Sequence, residues 1–199
     1  WMVERRAGVI LLLGRSGRVS SDALSWVMDS SSCSSAIVMQ RCDVSLRSEA
    51  RSVFSTSSTS PFLGRTLDGV MHAGGVLQDA VVSNQTAGRV RGVFAPKVDG
   101  LSHIESCVSG QSPVRMFTLF SSIAALLGSG GQSNYAAANA SLDARCDAQN
   151  ACGLPSTSVQ WGAWLGGGMA SKSVKARLDR IGVGVLSPEN GLRSLEWLM

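Results

Sequence analysis

Short, continuous apolar runs alternate along the chain with segments of helical period. Val9–Leu13 is apolar at every position and closes on Gly14. A run of that length reads as a strand buried on both faces. Ala36–Met39, Leu67–His72, Val114–Phe120 and Thr157–Trp161 repeat the pattern. Helix-length segments lie between them, at about 20–29, 45–55, 84–109 and 133–152. Beyond the fifth run, Lys172–Arg180 reads as a short basic helix. Pro188–Trp197 reads as another, with Ser187 as N-cap and Pro188 at the first helical position. Strand, helix and strand at this spacing predict right-handed βαβ units, hence an α/β fold with a parallel sheet and helices on both faces. The serine-rich stretches 30–35 and 55–60 read as polar loops, and Gly166-Gly167-Gly168 as a mobile backbone.

Composition narrows the functional classes. The chain has 199 residues, 44% hydrophobic and 16% charged, which suits one globular domain with a sizeable core. No apolar run nears the ~20 residues of a membrane helix, so no membrane insertion is expected. The net charge is +4 and the basic residues are scattered, which argues against nucleic acid. Five cysteines, at 33, 42, 107, 146 and 152, form no CxxC pair, and His72 and His103 lie far apart. Free thiols in a reducing compartment and no metal site are expected. No signal peptide is visible, so the cytoplasm or an organelle stroma is expected rather than secretion. The chain opens on Trp1 and stops at Met199 inside a helical pattern, so both ends read as cut from something longer.

Ligands of open parallel sheets bind outside the carboxyl ends of the strands. Those ends here carry Arg15-Ser16 after the first run, Asp43-Val44 after the second, His72-Ala73-Gly74-Gly75 after the third, Ser121-Ser122 after the fourth and Trp161-Gly162 after the fifth. Together they would line one edge, where a dinucleotide could stretch out. Each also has a plainer reading: Arg15 as a solvated loop charge, Asp43 as a helix cap, the glycines as turn residues.

The most informative segment is LFSSIAALLGSGGQSNYAAANA, residues 119–140. Tyr135, the only tyrosine, shares a helix face with Asn139 four positions on. A tyrosine of ordinary pKa near ~10 is a poor proton donor or base at neutral pH unless a cation stands nearby. Gly128-Ser129-Gly130-Gly131 is not a phosphate loop, because it precedes the tyrosine helix and Ser133 stands where the third glycine would fall.

This segment resembles the active-site signature of polyketide synthase ketoreductase domains, in the short-chain dehydrogenase/reductase superfamily. So do GVMHAGGVL (69–77), APKVDG (95–100) and LPSTSVQWGAW (154–164), all in the family's order over nearly the whole chain. The resemblance implies a Rossmann-like, doubly wound parallel sheet flanked by helices. By position it implies a catalytic set of Lys97, Ser122, Tyr135 and Asn139. Tyr135 would give its proton to the ketone oxygen as hydride arrives from NADPH, and Ser122 would hydrogen-bond that oxygen. Lys97 would make the tyrosine usefully acidic, and Asn139 would help hold Lys97 or a proton-relay water. Arg15 and Ser16 match the positions that meet the adenosine 2′-phosphate, favouring NADPH. Asp43 and Val44 resemble the pair beside the adenine. His72, Ala73 and Gly74 resemble the stretch along the ribose, and Ser121 falls among the cofactor-binding positions. The family's usual form there is His-Ala-Ala-Gly, so Gly74 departs from it and is expected to loosen that stretch. Leu77-Gln78-Asp79 resembles the Leu-x-Asp motif of the type giving a D-configured 3-hydroxyl, and Leu127 stands where the opposite type has Trp.

The implied activity is reduction of a β-ketoacyl thioester on an acyl carrier protein to the 3-hydroxyacyl form, with neighbouring synthase domains as further partners. The ketoreductase of a multifunctional fatty acid synthase and a non-catalytic structural ketoreductase stub are the alternatives. The family's first strand and glycine-rich turn find no counterpart here. Residues 1–199 are therefore expected to be part of a single catalytic domain, one βα unit short, poorly stable alone and weak in NADPH binding.

Overall fold

The computed structural model describes residues 2, 7–18, 36–54, 66–109, 114–165, 176, 178–180 and 182–198. Five parallel strands appear: β1 (Val9–Gly14), β2 (Ala36–Arg41), β3 (Gly69–His72), β4 (Met116–Ser122) and β5 (Ser156–Trp161). All five apolar runs are thus strands. The helices are α1 (Arg47–Phe54), α2 (Ala87–Phe94), α3 (Gly100–Val108), the one-turn α4 (Ala124–Leu127), α5 (Ser133–Ala151) and α6 (Pro188–Leu198). The helix expected at 20–29, both serine-rich stretches, the triple glycine and most of the expected basic helix fall outside the described residues. Ser187 caps α6 as expected, its Oγ accepting from Asn190 N–H at 3.2 Å.

The strands form two sheets among the described residues, β1–β2 and β3–β4–β5. This division shows in the burial. Leu12, Val38 and Met39 are each 38% exposed, so β1 and β2 are not enclosed on both faces as their apolar runs predict. A two-stranded sheet has an edge on each side, and edge strands gain less cover than interior ones. Leu11 and Leu13 nonetheless pack against the main core, which joins Val70, Phe117 and Leu119 of the second sheet to Leu101 and Ile104 of α3 and Leu142 of α5.

One expected element is divided. The segment read as a single helix over 84–109 contains a wide turn of π type at Ala95–Asp99, between α2 and α3. Pro96 has no N–H to continue the ladder, so the backbone widens to longer hydrogen bonds over one turn. That turn carries Lys97 and points it inward.

Candidate active site

Lys97 is 2% exposed, and its Nζ donates to the Phe120 carbonyl of β4 at 2.9 Å. Lys97 is therefore not a surface lysine. The π turn that holds it is locked from behind by His72 at the end of β3, whose Nε2 donates to the Lys97 carbonyl at 2.9 Å. His72 is 3% exposed, and burial lowers its pKa, which keeps the imidazole neutral. Lys97 is pushed down from 10.5 to about 8 by burial, with Asp143 pulling weakly the other way.

Tyr135 stands in the first turn of α5 with its ring centroid 5.6 Å from Lys97 Nζ. Burial raises the phenol pKa, while the Asn139 and Ser122 side chains, close by, act to lower it. A cleft of about 390 Å³ opens onto Lys97, Tyr135, Ser121 and Ser122. Its walls are Ala73, Gly75 and Leu77 after β3, Phe120 of β4, Leu127 of α4, and Trp161, Gly162 and Trp164 at and after β5. Ser122 Oγ accepts from Ala124 N–H at 3.2 Å, leaving its own hydroxyl proton to donate. Phe120, Trp161 and Trp164 pack in series as tilted rings, with centroid separations of 5.6 and 5.0 Å.

The remaining expected site residues are held by contacts of their own. Asn139 does not hold Lys97: its Nδ2 donates to the Tyr135 carbonyl one turn back at 2.8 Å. Its Oδ1 is buried without a hydrogen-bond partner, an acceptor suited to a bound water or a ligand donor. Ser121 is 3% exposed, and its Oγ donates to the Asn139 carbonyl at 3.3 Å, tying β4 to α5. Arg15 and Ser16 sit exposed in the turn after β1, where Ser16 Oγ exchanges hydrogen bonds with Arg18. Asp43 is not the cap of the following helix, which begins at Arg47. Its Oδ1 accepts from Ser45 N–H at 3.0 Å and Ser45 Oγ at 2.6 Å, organising the turn into α1. Val44 offers its carbonyl to His103 Nδ1 at 2.9 Å, anchoring that turn to α3. Gly74 is tight rather than loose, since a Cβ there would stand 3.1 Å from the Pro96 carbonyl and 3.3 Å from His72 Cε1. Asp79 is held by Gln132, whose Nε2 donates to its carboxylate oxygens at 3.2 and 3.1 Å.

Sequence reasoning missed Gln132, Asn134 and the aromatic wall. In the sequence Trp161 and Gly162 mark a strand end within the motif LPSTSVQWGAW, with no sign of an aromatic wall. Gln132 and Asn134 carry no motif of their own beyond proximity to Tyr135. The four described cysteines are free, and no cluster of metal-ligating side chains occurs among the described residues. No helix among them is long and apolar enough to cross a membrane.

Residues 1–166 match the sequence model of a family described as the KR domain. The chain is 37% identical over 187 residues to polyketide synthase GfsB of Streptomyces halstedii, covering 92% of this chain and 3% of that protein. It is 44% identical over 130 residues to the spectinabilin polyketide synthase system protein NorB of Streptomyces orinoci, covering 63% of this chain and 6% of the relative. Among solved structures, the ketoreductase from the first module of phoslactomycin biosynthesis in Streptomyces sp. HK803 superposes with a TM-score of 0.84 at 29% identity. That match covers 96% of this chain and 43% of the solved one. The chain therefore spans a few per cent of these synthases and under half of the solved ketoreductase.

Proposed function

The chain belongs to the KR domain family, the ketoreductases of modular polyketide synthases within the short-chain dehydrogenase/reductase superfamily, and from that premise we propose a specific reaction and site. The reaction is NADPH-dependent reduction of a β-ketoacyl thioester, carried on an acyl carrier protein, to the 3-hydroxyacyl form during polyketide chain elongation. Residues 1–199 form part of one catalytic domain, and neighbouring synthase domains complete its setting. The observation that carries the reading is the buried Lys97 ammonium beside the Tyr135 ring in a cleft that also receives Ser122.

The residues present fit the nicotinamide cofactor. The cleft is bordered by the backbone of Ala73 and Gly75, the buried Asn139 Oδ1 lacks a donor, and the exposed Arg15 suits a phosphate dianion. We assign Arg15 and Ser16 to the 2′-phosphate, Asp43 and Val44 to the adenine side, and His72, Ala73, Gly74 and Ser121 to the remainder. When bound, the cofactor supplies the hydride. The chain supplies the proton and the charge complement. A phenol is protonated at neutral pH and burial raises the Tyr135 pKa further, so Tyr135 is available as a donor rather than a base. Lys97, with a pKa of about 8, is mostly charged at pH 7 and stabilises the phenolate left when the proton passes to the ketone oxygen. Ser122 donates a hydrogen bond to the same oxygen and keeps its proton. Asn139 holds the Tyr135 turn of α5 and offers Oδ1 to a relay water. Leu77, Asp79 and Leu127 set the approach of the ketone, and a leucine in place of a bulky Trp supports the D-configured hydroxyl.

The test is turnover of a β-keto thioester mimic by the full-length polypeptide, followed as NADPH oxidation. Tyr135→Phe is expected to cost about 10²- to 10⁴-fold. Equal rates in the two proteins would remove Tyr135 from the reaction.

A further inference from the structure

The turn after β1 is folded down onto the last residue of β2. Gly14 and Arg41 are register partners in the parallel β1–β2 ladder. Gly14 O accepts from both Gly17 N–H and Cys42 N–H, each at 3.0 Å, so one carbonyl closes the turn and ties it to the neighbouring strand. Gly17 has a φ of 61°, and a Cβ there would stand 2.9 Å from Arg41 Cβ and 3.0 Å from Arg41 N. Only a residue without a side chain lets the turn sit this low. Arg41 Cβ therefore lies directly against the turn that carries Arg15 and Ser16.

The charges in this region are mainly positive. Arg15, Arg18 and Arg41 are all exposed there, and the turn Gly14-Arg15-Ser16-Gly17-Arg18 contains no carboxylate. Arg41 Nη2 lies 3.5 Å from Glu49 Oε1 in the first turn of α1. Glu49 is itself anchored, its Oε2 accepting from Asp43 N–H at 2.8 Å. The Asp43 carboxylate is turned into its own loop by Ser45. With 67% of the Arg41 side chain exposed, the Arg41–Glu49 pair adds little to stability. What it does is hold a guanidinium at the sheet edge, between the Arg15–Ser16 turn and the Asp43–Val44 turn. Guanidinium carries more N–H donors than one carboxylate oxygen uses, so Arg41 has donors left for a second anion.

We propose that Arg41 is a second guanidinium for the adenosine 2′-phosphate, and that Glu49 tunes cofactor choice by competing with that phosphate for it. This rests on the ketoreductase reading above and adds to its Arg15 and Ser16 a residue from another strand. A phosphate dianion carries more charge and more acceptor oxygens than Glu49 and matches the planar fork of arginine. A ribose that bears only a 2′-hydroxyl brings no charge to Arg41, which then stays with Glu49.

The experiment measures calorimetric dissociation constants of 2′,5′-ADP and 5′-AMP on the full-length polypeptide at fixed ionic strength. The two ligands differ only by the 2′-phosphate, so the ratio of the 5′-AMP Kd to the 2′,5′-ADP Kd isolates its recognition. Arg41→Ala is expected to lower that ratio about tenfold. Arg41→Lys keeps the charge without the fork and is expected to fall between Arg41→Ala and wild type. Glu49→Gln keeps an acceptor for Asp43 N–H, removes the competing charge and is expected to raise the ratio about threefold. In the Arg41→Ala background that gain is expected to disappear. Arg41 stands outside the buried core, so these variants test binding rather than folding. A wild type that prefers 2′,5′-ADP, with the same ratio in Arg41→Ala, overturns this assignment alone. A Glu49→Gln gain of equal size with and without Arg41 also overturns it. A wild type that binds 2′,5′-ADP no tighter than 5′-AMP overturns the NADPH reading of the site and this assignment with it.

Discussion

Lys97 Nζ donates to the Phe120 carbonyl at 2.9 Å, so the end of β4 holds the one buried lysine among the described residues. That single contact joins the π turn to the strand that also delivers Ser121 and Ser122. It keeps the cation 5.6 Å from the centre of the Tyr135 ring instead of letting it reach solvent. The arrangement favours the proposed proton transfer and costs stability, because no carboxylate among the described residues pairs with the ammonium.

Lys97→Met should separate those two effects. Reduction is expected to fall at least about 100-fold with loss of the cation. Stability at pH 7 is expected to rise by about 1 kcal/mol. Removing a desolvated charge gains more than the abandoned Phe120 carbonyl loses. Urea unfolding of the two proteins measures the second effect, and a less stable variant would contradict it.

The same lysine gives a pH signature. Its folded pKa of about 8 lies below the ordinary 10.5, so between those values the unfolded chain binds more protons. Stability due to Lys97 therefore rises with pH across that window, by an amount on the order of 3 kcal/mol. The wild-type minus Lys97→Met difference, followed from pH 7 to 11, should show this rise. A flat difference would contradict it.

His72 acts at the acid end. Burial lowers its folded pKa below 6.5, so as pH falls through 6.5 the unfolded chain takes up a proton that the folded chain refuses. The His72 contribution is thus intact above 6.5 and lost below it, with a slope of up to about 1.4 kcal/mol per pH unit. His72→Asn should flatten the unfolding midpoint below pH 6.5 relative to wild type. Parallel curves would show that His72 does not titrate on unfolding.

Gly191 in α6 faces Trp164 so closely that an added Cβ would overlap the indole ring. Alanine ordinarily gains about 1 kcal/mol over glycine within a helix. Overpacking costs about 1–3 kcal/mol, and here it falls on a rigid ring already packed against Trp161. Gly191→Ala should therefore destabilise the protein and alter tryptophan fluorescence. A stabilised variant would show that α6 can move away freely.

Glu105 fastens α3 to α5 away from the cleft. It takes Arg145 Nε at 2.8 and 2.9 Å, Arg145 Nη2 at 2.7 Å and Gln149 Nε2 at 2.5 Å. Glu105→Gln is expected to cost about 1–3 kcal/mol, because an amide has one carbonyl oxygen in place of two carboxylate oxygens and cannot accept all three donors. The denaturant midpoint should fall with an unchanged m-value. An unmoved midpoint would mean that the half-exposed Arg145 is satisfied by water.

The sequence by itself determined the five strands, the parallel α/β character and the spacing that brings Ser122, Tyr135 and Asn139 together. Those features follow from local apolar runs, helical period and motif order, which require no distant contact. Tertiary structure decided the rest. A lysine in a sequence pattern carries no sign of burial, and Lys97 is buried only because Pro96 forces a wide turn and His72 locks it from another strand. Asp43 and Asp79 look alike in one dimension, but one organises its own turn while the other meets Gln132, 53 residues away. The exposed faces of β1 and β2 were equally hidden, since burial depends on which neighbours a strand finds across the sheet. Contacts between distant segments settle charge state, orientation and cover, and these determine what the cleft can do.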